Sequence, residues 1–103
     1  MGRKPRLKPE RLSEKLFRIR KSLGLSQSAM LKRLGFEELI DYRRISEFEL
    51  GDAEPPLPVL LRYSRVARVH LEDIVDDELE LPDSLPSTYQ HQGLKRRSAG
   101  KQR

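Results

Sequence analysis

The chain has 103 residues, 36% of them hydrophobic and 36% charged, a thin apolar share that fits one small domain with unstructured length attached and excludes a large enzyme core. Cysteine is absent, which removes disulfides, thiolate metal sites and cysteine nucleophiles together. The net charge of +5 hides blocks: residues 1–33 hold eleven Lys or Arg against two Glu, residues 34–83 five Arg against fourteen acids, and residues 84–103 five Lys or Arg.

A basic front, an acidic middle and a basic tail direct electrostatic work to the ends of the chain. Residues 1–9 carry Pro5 and Pro9 with Arg3, Lys4, Arg6 and Lys8 and no apolar period, so they read as a flexible basic arm. No apolar stretch follows the charged start, and no run approaches the roughly 18 apolar residues of a membrane span. The expected address is cytoplasmic.

Helical periodicity begins after Pro9. Leu12, Leu16, Ile19 and Leu23 share one stripe, with Lys15, Arg18 and Lys21 off it, and Gly24 supplies the stop. Ser26 is placed to cap a second helix whose buried face is Met30, Leu31 and Leu34, and Gly35 ends it. Phe36–Leu50 keeps a helical period through Leu39, Ile40, Ile45 and Phe48. Within it Asp41 can cap a helix beginning at Tyr42, and Gly51 closes the segment.

Asp52–Pro56 is a turn by composition, and Pro58 is tolerated in the first turn of a fourth helix, predicted over Leu57–Ala67. A fifth is predicted from Leu71 to about Leu79, with Glu72 and Asp73 at its positive end. Beyond Leu81, Pro82, Pro86 and the Lys95–Arg103 cluster predict a disordered basic tail over residues 82–103. The expected fold is all-α: five short helices over residues 10–81 with short connections.

Two short capped helices joined around a glycine form a helix-turn-helix pattern, whose second helix can enter the DNA major groove. The residues that carry this pattern resemble the Cro and phage-repressor (Xre-type) helix-turn-helix family. The resemblance runs from Leu12 to Val75. It rests on Ile19–Gln27, Arg33-Leu34-Gly35, Ile45–Gly51, Glu54-Pro55, and Leu60-Leu61-Arg62 leading to Leu71–Ile74.

The resemblance implies roles position by position. Gln27, with Ser26 before it, matches the helix start that meets a DNA phosphate. Arg18, Lys21 and the arm residues Arg3, Lys4 and Arg6 are further phosphate candidates. Tyr42, Arg43, Arg44 and Glu47 match the exposed face of the recognition helix, where an Arg can donate two bonds to guanine and a Glu can accept from cytosine. Arg20 and Glu49 match a structural ion pair between the first helix and the end of the third.

Three positions depart from the family. Nine residues, Phe36–Arg44, separate Gly35 from Ile45, about one helical turn more than usual, which either lengthens the recognition helix or enlarges the turn. Leu31 stands where a small residue is usual. The loop after Gly51 is Asp52-Ala53-Glu54, where relatives place cations, and carboxylates facing phosphates oppose binding.

His70 and His91 have no partner at catalytic or metal-ligand spacing, and no phosphate loop or nucleotide fingerprint is present. The acidic run Glu72–Asp83 lacks the spacing of a calcium loop and reads as a solvated face or a partner for the basic tail. The sequence therefore predicts a non-enzymatic regulator without metal or cofactor, binding double-stranded DNA sequence-specifically. A homodimer on a two-fold operator fits a unit this small. The alternative is an antitoxin-like or adaptor module on the same fold, using its acidic middle to meet a protein partner.

Overall fold

Five segments with the local chemistry of helices become helices in the computed structural model, which describes residues 7–86. They are α1 Leu12–Leu23, α2 Gln27–Leu34, α3 Arg43–Leu50, α4 Leu57–Ala67 and α5 Leu71–Val75, with no strand among the described residues. Residues 1–6 of the predicted arm and 87–103 of the predicted tail lie outside the described residues.

The first three helices end on the same device. Gly24, Gly35 and Gly51 adopt φ of 71°, 84° and 83°, a left-handed conformation that strains any residue with a Cβ. Each then returns two N–H groups to the last turn, as Gly35 does to the Lys32 carbonyl at 3.0 Å and Phe36 to the Leu31 carbonyl at 3.3 Å. Pro58 sits in the first turn of α4, where its missing N–H costs nothing.

α1 is the hub. It packs against α3, α4 and α5, while α2 packs against α3 and α4. Leu16 and Ile19 of α1 meet Met30 and Leu34 of α2, Ile45 and Phe48 of α3, Tyr63 of α4 and Ile74 of α5 in one buried cluster. Each such side chain contributes about 1.5–3 kcal/mol through removal from water, which is how helices this short persist. Leu31 joins the cluster at 4% exposure.

Two expectations are corrected. α5 stops at Val75 rather than near Leu79, because Asp76 turns extended and its carboxylate accepts the Glu78 N–H at 2.9 Å, a local bond that competes with helix. Lys15, predicted off the apolar stripe, is only 1% exposed. Its ammonium donates to the Asp73, Asp76 and Leu79 carbonyls at 2.8 Å each, thus closing the free end of α5 and the turn after it.

The same segment closes the start of α1. Arg11 stands at the N-cap without a side-chain cap of its own. The Asp77 carboxylate instead accepts the Glu10 N–H at 2.9 Å and the Arg11 N–H at 3.0 Å. Arg11 in turn donates to the Asp77 carbonyl and to Glu80. Leu81 and Leu85 then lie buried against the core. The acidic run is thus a clasp on α1.

This clasp makes stability pH-dependent. Two backbone N–H groups hold the Asp77 carboxyl below its ordinary 3.8, and Arg11 holds Glu80 below its ordinary 4.5. A carboxyl lowered by folding stabilises the fold above its unfolded value, and that stabilisation is lost as pH falls through the folded value. The urea midpoint should therefore decline below pH 4.5, and less steeply in Asp77→Asn. Superimposable acid limbs for the two proteins would show that the cap contributes nothing.

Candidate nucleic-acid interface

The turn between α2 and α3 carries the extra residues. Phe36–Ile40 forms a compact turn, with the Leu39 and Ile40 N–H groups both bonded to the Phe36 carbonyl at 2.9 and 3.0 Å. α3 does not begin until Arg43 and keeps eight residues. The insertion therefore enlarges the turn and leaves the length of α3 alone. Phe36 packs against the core, and the Arg62 guanidinium lies over its ring at 5.8 Å.

At the start of α2 the Ser26 hydroxyl accepts the Ala29 N–H at 3.0 Å. The N–H groups of Gln27 and Ser28 have no carbonyl within the helix to meet, which leaves a positive helix end suited to an anion. The Gln27 amide reaches the Glu49 carboxylate at 3.5 Å. Glu49 is also bound by Arg20 through two parallel bonds, at 2.7 Å from Nε and 2.9 Å from Nη2. The third Arg20 nitrogen donates to the Leu25 carbonyl at 3.0 Å. One carboxylate thus joins α1, the start of α2 and the end of α3.

This junction is dry. The Arg20 and Glu49 side chains are 12% and 4% exposed. The bond to Glu49 raises the Arg20 pKa, so the guanidinium stays charged. Tyr63, which packs in the core as its place among Leu60 and Ala67 predicts, has its phenol pKa raised by burial and then by the Glu49 charge. Its hydroxyl has no hydrogen-bond partner among the described residues.

A helix-turn-helix family model matches residues 16–74, more than half the chain. The chain belongs to the Xre/Cro-type helix-turn-helix family. That family is one of DNA-binding domains. Neither the curated proteins nor the solved structures contain a match to this chain.

On this helix-turn-helix frame the predicted contact residues fall in three states. Tyr42 is half exposed at the N-cap of α3 and carries no side-chain bond as a cap. Arg43 is exposed, yet its guanidinium is held by both Asp41 oxygens at 3.1 and 2.8 Å, while the same carboxylate accepts the Arg43 N–H at 2.8 Å. That grip lowers the Asp41 carboxyl to about 2. Arg44 pairs with Glu47 one turn on and lies over the Phe48 ring at 5.5 Å.

The first-helix cations are divided. Lys21 is exposed beside the Phe17 ring at 5.8 Å, whereas Arg18 donates to the Pro82 carbonyl at 3.2 Å. Arg3, Lys4 and Arg6 lie outside the described residues. Next to α3, a groove between the start of α1 and the following loop is lined by Lys8, Glu10, Asp52 and Glu54, so it is acidic on balance. Among the described residues no group of His, Asp or Glu is arranged to hold a metal ion, and no helix is long and apolar enough to cross a membrane.

Asp41 is the residue that sequence reasoning undervalued. Its spacing predicts the cap of a helix starting at Tyr42, whereas α3 starts at Arg43 with Tyr42 at the N-cap, and Asp41, one residue earlier, accepts the Arg43 N–H. The second function, holding Arg43, carries only a faint sequence signal, an acid two residues before an arginine at a helix start.

Proposed function

We propose that the protein is a sequence-specific transcription regulator that lays α3 in the major groove of DNA and seats a backbone phosphate on the start of α2. The observation that carries this reading is the Glu49 junction. It joins α1 to the end of α3 and draws the Gln27 amide to the same carboxylate, beside the free N–H groups of the start of α2. Tyr42, Arg43, Arg44 and Glu47 are the base-reading side chains in this reading. Ser26, Gln27, Lys21, Arg18 and the arm residues Arg3, Lys4 and Arg6 meet phosphates. Arg18 first has to leave Pro82.

The protein acts without catalysis or cofactor in this reading, in the cytoplasm and as a homodimer on a two-fold operator. A basic arm, residues 1–9, and a basic tail flank the helix-turn-helix domain; the tail, predicted to start at residue 82, starts later in this reading, because Leu85 is buried in the core and Pro82 accepts from Arg18. Duplex affinity should fall steeply with salt, because each neutralised phosphate releases condensed counterions. For a duplex selected from a random pool, Arg43→Ala with Arg44→Ala should weaken binding roughly tenfold to a hundredfold, the worth of a bidentate base contact. Binding to unrelated duplexes should change far less.

A second reading draws on one observation: Arg43 and Arg44 are already neutralised by Asp41 and Glu47. An antitoxin-like or adaptor module would use this charge-balanced face, with Asp52 and Glu54, against a basic protein. The same double variant separates the readings. Unchanged duplex affinity at every salt concentration would sink direct readout by α3 and favour the protein partner.

A further inference from the structure

The cations around α3 are engaged, whereas a second group is not. Among the described residues, Arg43, Arg44, Arg20 and Arg11 are in ion pairs and Lys15 is bound to carbonyls. Lys32, Arg33, Arg65 and Arg68 are exposed and make no side-chain hydrogen bond or ion pair. Arg62, also exposed, lies over the Phe36 ring and makes no side-chain hydrogen bond or ion pair among the described residues.

These five side chains stand on two helices that pack together, the end of α2 and α4 with its C-cap. Lys32 and Arg33 occupy the last turn of α2, and Gly35 follows as its cap. A Cβ on Gly35 would sit 3.5 Å from Arg62 Nη1, so α4 delivers its guanidinium to that point. Arg65 lies about one turn farther along α4, and Arg68 stands at its C-cap. Glu37 and Glu38, exposed in the turn after α2, and Glu72 and Asp73 beyond Arg68 are the nearby acids in sequence, and none of them forms an ion pair with these five cations. The surface keeps a positive excess.

It also lies at the opposite end of α2 from Gln27. An eight-residue helix is about 12 Å long, farther than one side chain reaches. The phosphate seated at the start of α2 is therefore out of reach of Lys32, Arg33 and the α4 arginines. Protein interfaces bury an apolar centre depleted in charge, whereas protein–DNA interfaces are strongly positive and polar. Five cations, four of them guanidinium forks that match phosphate geometry, fit the second kind.

We propose that this face, made by the last turn of α2 and the exposed side of α4, binds the phosphate backbone of a second DNA duplex, so that one chain can bridge two segments. The proposal rests on the DNA-binding reading of α2 and α3. Its contacts are with phosphate and are indifferent to sequence.

The test uses the full chain, a bead-bound duplex and a second, fluorescent duplex, with single-duplex affinity measured in parallel by anisotropy. Wild type should retain the fluorescent duplex on the beads. Arg62→Glu with Arg65→Glu, and separately Lys32→Glu with Arg33→Glu, should each lower retention at least about tenfold, while single-duplex affinity falls by less than about threefold. Using two pairs on different helices guards against one variant failing to fold. Sedimentation equilibrium should give the same mass for all three proteins, so that bridging is not a by-product of dimerisation.

Retention that survives both pairs, or that tracks a change in mass, overturns the proposal. So does a wild type that binds one duplex without a second, a result that leaves the α2–α3 reading standing. If both pairs weaken single-duplex binding and nothing is bridged, the face belongs to the first duplex and the proposal falls. A wild type that binds no duplex in either assay removes the α2–α3 reading and this one together.

Discussion

Glu49→Ala should destabilise the fold by about 3–5 kcal/mol, the usual consequence of leaving one partner of a buried ion pair alone. The Arg20 guanidinium, 12% exposed, would keep its charge while losing both bonds to the carboxylate. A domain of this size has only about 5–15 kcal/mol of total stability, so the variant should sit near the edge of folding.

The decisive comparison is with Arg20→Met combined with Glu49→Leu. Removing both charges abolishes the desolvation penalty along with the attraction, so the double variant should be far more stable than Glu49→Ala, and can approach wild type. Urea unfolding of wild type, Arg20→Met, Glu49→Leu and the double variant gives the coupling directly. A coupling near zero would mean that the pair is ornamental. The stable double variant also isolates a positioning effect: with no carboxylate to hold Gln27, duplex affinity should drop although the fold is intact.

What the sequence reveals here is what is local. Apolar spacing placed all five helices, and Gly24, Gly35, Gly51 and Ser26 marked ends that the structure keeps, because a cap is settled within a few residues. The insertion resisted such reading, since Leu39 and Ile40 continue a helical period. The left-handed Gly35 and the Phe36 turn decide that the chain does not continue α2. The Arg20–Glu49 pair spans 29 residues and came only from the family resemblance, never from the chain itself. Likewise the grip of Asp41 on Arg43 bears on the candidate site more than any helix boundary, yet residue type and spacing barely announce it.

Lys15→Met should cost about 3 kcal/mol, although a helical wheel treats Lys15 as a solvent-facing residue. The long methylene stem is already buried, and methionine preserves most of that packing. The loss is electrostatic: the Asp73, Asp76 and Leu79 carbonyls each accept a charged donor at 2.8 Å, and the variant leaves them without it. These partners lie 58 to 64 residues away, so no window along the sequence reveals them. The thermal midpoint should fall by roughly 10–20 °C, against little change for Lys21→Ala on the exposed side of the same helix. Amide exchange should rise first in residues 76–85, because Lys15 and the Asp77 cap together hold that segment on α1 and keep Leu81 and Leu85 over the core. A Lys15→Met protein as stable as wild type would show that the clasp rests on its leucines alone.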